Sequence, residues 1–192
     1  MASAVAAELR RTSVQDYHST GQRAMIRTVD TDVVVLPLAH FQDLPDIEQL
    51  WIAFGTGKDF RYIPIHEIAR AISPEMAKGL LFFHAFTGCD VTSYFANHRK
   101  ISAWKTWLAW PDITNTFVAL SRPCTAQLPD EVVLKLERFV VLMYCRTSDE
   151  TRVNEARMEL FAKMKRNIEN IPPTRAVLEQ HIKRSAYQSG HM

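Results

Sequence analysis

Residues 25–38 read MIRTVDTDVVVLPL, and the fold turns on how they are taken. Met25 to Val29 and Val33 to Leu38 are two apolar, β-branched segments separated by Asp30-Thr31-Asp32. Short apolar runs of this kind suit a buried strand of a parallel sheet whose end, or following turn, displays acids. Pro37 makes the second segment short or irregular, because proline cannot donate to a ladder. Carboxylates beside such a strand can be held rigidly in a cleft without being buried unpaired. The plainer reading of Asp-x-Asp is a turn whose side chains bond the local backbone.

Outward from this stretch, Leu50 to Phe54 and Phe60 to Ile65 are strand-like runs flanking Gly55-Thr56-Gly57-Lys58-Asp59, which predicts a β-hairpin. A short helix is expected over His66 to Ile72, closing near Ser73-Pro74. Another follows over Pro74 to His84, with Met76, Leu80, Leu81 and Phe83 on its apolar side. It leads into Phe86-Thr87-Gly88-Cys89-Asp90, where a glycine turn exposes one acid.

Beyond Trp110-Pro111 the pattern is helical. Val132, Val133, Leu136, Phe139, Val140 and Met143 recur at spacings of three and four after Pro129. Val153, Ala156, Leu160, Phe161, Met164 and Ile168 form the stripe of the next helix, which Ile171-Pro172-Pro173 ends before a last helix capped by Thr174. The organisation expected is a poorly ordered lead-in at 1–23 and one domain at 24–192, mixed α/β to about residue 110 and helical after it. The fold class is α/β: a small, mostly parallel sheet with a β-hairpin, followed by a helical C-terminal half.

At 192 residues, 47% hydrophobic and 23% charged, the chain is large enough to bury a real core. A net charge of +2 does not by itself announce a nucleic-acid binder, so partners are argued from local features. Cys89, Cys124 and Cys145 are odd in number and never paired as CxxC, which argues against a disulfide framework or zinc knuckle and for a reducing, intracellular setting, nucleus or cytoplasm. MASAVAAELRRTS has no long apolar core before its charges, and Phe139 to Cys145 is too short to cross a bilayer. Neither a secretory leader nor a membrane partner is expected.

Asp30, Asp32 and Asp90 together suit a hard divalent cation, Mg²⁺ or Mn²⁺, which can activate water for phosphodiester cleavage. A strand followed by Asp-x-Asp also opens the haloacid-dehalogenase-like phosphatases, with Asp30 as nucleophile. That chemistry needs a further acidic pair downstream, and no clear pair follows. His40, His66, His84 and His98 lie on separate segments without paired spacing, which points to structural or surface roles. Trp104, Trp107 and Trp110 recur every three residues, the mark of a core stripe. Lys163, Lys165, Arg166, Lys183 and Arg184 read as solvated helix faces.

The stretches AMIRTVDTDVVVL, LWIAFGTGKDFRYIPIHEIARAI, FHAFTGCDVTSYF and LERFVVLMYCRTS resemble a widespread, mostly uncharacterised group of animal proteins often linked to mobile elements. That group is similar to the flap-endonuclease branch of PIN-like nucleases. The resemblance implies that Asp30, Asp32 and Asp90 are metal-binding and catalytic. It implies a helix-hairpin-helix over Tyr94 to Trp107 in which Arg99, Lys100 and Lys105 bind nucleic acid, DNA in preference to RNA. The upstream acidic motif of such nucleases has no counterpart, Glu8 and Asp16 being the only earlier acids. A truncated copy with an incomplete acidic site is therefore expected, with an exposed sheet edge that invites self-association. Ala96-Asn97-His98 stands where relatives carry a glycine-containing turn, which predicts a stiffer loop. The alternative function is a non-catalytic nucleic-acid or protein interaction module on the same fold.

Overall fold

The structure, a computed structural model, describes residues 22–123, 128–162 and 170–192. The chain divides into two compact units, one running to Leu81 and including Met192, the other Phe82–His191. Of the lead-in expected at 1–23, residues 1–21 lie outside the described residues, and Gln22 and Arg23 already belong to a strand.

The first unit is built on three strands, β1 (Gln22–Thr28), β2 (Ile47–Phe54) and β3 (Arg61–Pro64), in the order β1-β2-β3. β1 and β2 are parallel, from Arg23 opposite Gln49 to Thr28 opposite Phe54. β2 and β3 form the expected hairpin, with Trp51 opposite Pro64 and Phe54 opposite Arg61. With one parallel and one antiparallel pair, the sheet is mixed rather than mostly parallel. Gly55 turns the chain at φ +85°, and a Cβ there would lie 2.8 Å from the Asp59 carbonyl oxygen, so only glycine fits.

Val33 to Leu38 departs from the strand-like reading, for it lies in α1 (Asp32–His40). A parallel pair needs a crossover between its strands, and this segment supplies it. Val34, Leu38 and Phe41, at spacings of four and three, pack on the core of Leu50, Ile52, Ile65 and Ala69. Burial of that helical face outweighs both the strand preference of three consecutive valines and the interior Pro37. α2 (Ile65–Ala71) closes the same core, and its buried His66 donates from Nδ1 to the Leu50 carbonyl at 3.0 Å.

α3 (Pro74–Phe86) starts as proline chemistry dictates: Ser73 precedes Pro74, and the Ser73 hydroxyl accepts from the Met76 amide at 3.1 Å. The second unit continues with α4 (Lys100–Ala109), α5 (Thr114–Leu120), α6 (Asp130–Tyr144), α7 (Val153–Ala162) and α8 (Arg175–His191). These match the helical half read from the periodicity, although Met164, Ile168 and the basic trio Lys163, Lys165 and Arg166 lie outside the described residues. The core is aromatic: Phe82, Phe86, Trp107, Phe117 and Phe139 are fully buried, with ring centroids 5.2 Å apart for Phe82–Phe86 and 4.9 Å for Trp107–Phe117. Each buried Phe contributes roughly 1.5–3 kcal/mol. Trp107 also donates to the Thr114 hydroxyl at 2.8 Å; of the expected core stripe it alone is buried, Trp104 and Trp110 being half-buried.

Glu137 lies on the apolar face of α6 and is fully buried. Its Oε1 accepts from the Val153 amide at 3.2 Å, while Arg175 and Arg152 stand 3.6 and 3.8 Å from Oε2. Burial pushes its pKa up, and the amide and the two guanidiniums pull it back. The carboxylate thus ties α6 to the starts of α7 and α8.

Candidate functional site

β1 delivers Asp30 and Asp32 to the end of the parallel pair. The Thr28 hydroxyl accepts from the Asp30 amide at 3.0 Å, and Asp30 Oδ1 accepts from the Asp32 amide at 2.9 Å. Asp30 therefore closes an Asx turn just before α1, whose N-cap is Thr31, and Asp32 sits in the helix's first turn. Free amides and the positive helix end both favour carboxylates there. Asp30 is exposed and Asp32 half-buried. The Gly55 amide donates to the Thr28 carbonyl at 3.0 Å, so the hairpin turn abuts the same strand end. The carboxyl ends of parallel strands are where α/β sheets place their ligands.

Asp90 belongs to the second unit and rides on a turn braced by the end of α3. Every carbonyl from Phe83 to Phe86 is taken up. Phe83 accepts from the Thr87 amide and hydroxyl, and His84 from the Lys100 ammonium at 2.7 Å. Ala85 accepts from the Thr92 hydroxyl, and Phe86 from His181 Nε2 at 2.7 Å. Gly88 follows at φ +103°, where a Cβ would lie 2.7 Å from the Cβ of Tyr94. The Thr92 hydroxyl also accepts from the Cys89 amide at 3.1 Å, closing the turn around Asp90, whose side chain is exposed.

The turn thus brings Asp30 and Asp32 together on one helix start, while Asp90 is presented separately on its own braced turn. Among the described residues no group of three or more His, Cys, Asp or Glu is gathered so as to hold a metal ion. No family model, curated protein or solved structure matches this chain.

Of the basic residues expected to bind nucleic acid, Arg99 immediately precedes α4 and Lys105 lies on it, both exposed. Lys100 has a structural task, its ammonium bonding the His84 carbonyl and the Thr87 hydroxyl, at 2.7 and 3.1 Å. A cation at a helix C-terminus meets both unpaired carbonyls and the negative end of the dipole. Tyr94 to Trp107 holds one helix rather than a helix-hairpin-helix, since residues 94–99 are irregular. Asn97 adopts φ +60°, so the left-handed residue that a glycine would supply is here an asparagine, the side chain that best tolerates it. No helix is long and apolar enough to cross a membrane among the described residues.

Two features were missed from sequence. Glu137 stands four residues after Val133 and three before Val140, so its place on the apolar stripe was readable. His181 was harder to read, because beside Leu178 and Ile182 the buried face of α8 carries Ser185, Ala186, Ser189 and Gly190, which leaves little contrast with its exposed face.

Proposed function

We propose that the chain is a divalent-metal-dependent, nuclease-like protein of the PIN and flap-endonuclease kind, acting on phosphodiester bonds of nucleic acid, DNA in preference to RNA. The observation that carries this reading is the pair Asp30 and Asp32 at the carboxyl end of the parallel strand β1, held by an Asx turn on a helix start. Asp90, braced by the end of α3 yet exposed, is the third acid. The donor set is all carboxylate oxygen, the chemistry that Mg²⁺ or Mn²⁺ selects. When bound, such an ion would supply water activation and charge stabilisation at phosphate. Arg99 and Lys105 offer exposed cations for the phosphate backbone.

The test is cleavage of labelled single-stranded and flapped DNA with Mn²⁺ by the chain and by its Asp30→Asn and Asp90→Asn variants. Cleavage that falls at least about a hundredfold in both variants is the expected result. Well-folded protein that cleaves nothing would overturn it. The engagement of Asp30 in an Asx turn and of Lys100 at a helix end favours a second reading, a non-catalytic nucleic-acid or protein interaction module.

A further inference from the structure

The irregular stretch after the Asp90 turn forms one wall of a pocket of about 240 Å³ within the second unit. Ser93 and Tyr94 lie on that wall, Tyr144 of α6 and Arg157 of α7 on the next, and Pro172 and His181 close it. Its volume is below the roughly 300–1,000 Å³ of drug-sized ligand sites, so it suits one compact unit, part of it lying against exposed Tyr94 at the rim, rather than an extended molecule.

The lining chemistry is selective. Among the described residues Arg157 is its one charged side chain and no carboxylate lines it, which favours an anion. The Arg157 Nη1 donates to the Pro172 carbonyl, fixing the planar fork while a guanidinium offers five N–H donors in all. Tyr94 is 77% exposed, an aromatic side chain at the pocket's edge. His181 is buried, and because a carbonyl can only accept, its Nε2 carries the proton donated to Phe86. Its Nδ1 is then an acceptor facing the Ser93 hydroxyl at 3.4 Å. Burial holds the imidazole neutral. The polar floor is the Ser93 hydroxyl, whose oxygen can still accept from a donor on the edge of a ring while its proton goes to Nδ1.

We infer that this pocket binds one nucleotide unit, with the base stacked on Tyr94 and the phosphate on Arg157. The inference rests on the nucleic-acid reading for the kind of ligand and uses none of the three aspartates. The same unit is offered by a free mononucleotide or by the end of a strand.

The test is calorimetric titration of the full chain with deoxyadenosine 5′-monophosphate, deoxyadenosine, inorganic phosphate, and a short oligo-dA with and without a 5′-phosphate. The monophosphate should bind about tenfold tighter than either the nucleoside or phosphate, the worth of one charge-assisted contact. Arg157→Gln should abolish the advantage of the phosphate. Tyr94→Ala, at an exposed site that leaves the fold intact, should weaken monophosphate and nucleoside alike by about tenfold, the size of one base stack. Tighter binding of the 5′-phosphorylated strand than of the monophosphate assigns the pocket to strand ends, and equal binding to free nucleotide. Monophosphate that binds no better than phosphate alone, or binding untouched by Tyr94→Ala, overturns the inference. Asp30→Asn and Asp90→Asn should leave monophosphate binding unchanged, so loss of the nuclease reading and loss of this one are separate results.

Discussion

At the scale of single residues, Gly88 carries the largest consequence for the Asp90 turn. A side chain there is refused twice, by φ +103° and by the Tyr94 Cβ 2.7 Å away. Gly88→Ala should cost about 1–3 kcal/mol in urea unfolding, with the loss concentrated at the turn. His181 gives a pH signature. Burial lowers its folded-state pKa, so the unfolded chain takes up a proton first as pH falls. Stability should be full above about pH 6.5 and fall below it, by at most about 1.4 kcal/mol per pH unit, down to the lowered folded value. Thermal unfolding of His181→Gln should show a shallower slope between pH 7 and 5.5 than the unmodified chain. Glu137 runs the other way, since its folded pKa is raised: its contribution is present at acid pH and lost as pH rises through that value. The difference between the two proteins isolates the histidine.

At the scale of elements, β1 is an edge strand, paired only with β2 among the described strands. Its exposed Met25, 45% accessible, leaves the edge without a charge at that position. An unpaired edge invites a second copy, and a lysine blunts it. Light scattering should find the chain self-associating as concentration rises and Met25→Lys less so, with the unfolding free energy changed by no more than about 0.5 kcal/mol. Unchanged self-association would remove the edge as the contact. The elements also show what could be read beforehand. The hairpin around Gly55–Asp59, α2, α3 and the amphipathic α6 follow from turn chemistry and local periodicity, and they formed as expected. α1 was misjudged because three valines in a row speak for a strand locally. The helical spacing of Val34, Leu38 and Phe41 matters only once a parallel partner demands a crossover.

At the scale of the whole molecule, the division into two compact units predicts how the chain opens. Native-state amide exchange under mild urea should resolve two cooperative groups of protected amides, one in the unit that ends at Leu81 and one in Phe82–His191. A single global opening for both would show that the units unfold as one. Much of this organisation was written locally. Aspartates after a β-branched strand, a glycine before Asp90 and the apolar stripes of the late helices are signals within a few residues of one another. By itself the sequence determined the α/β class, the hairpin, the helical C-terminal half and the exposure of Asp30 and Asp90, because turn residues and hydrophobic periodicity act over short range. Only the tertiary structure decided that Lys100 caps α3, that Glu137 pairs across three helices and that His181 reaches the Phe86 carbonyl. Those partners are 13 to 95 residues apart in the chain, and a buried polar group takes whatever donor or acceptor packing brings to it, which no local pattern encodes.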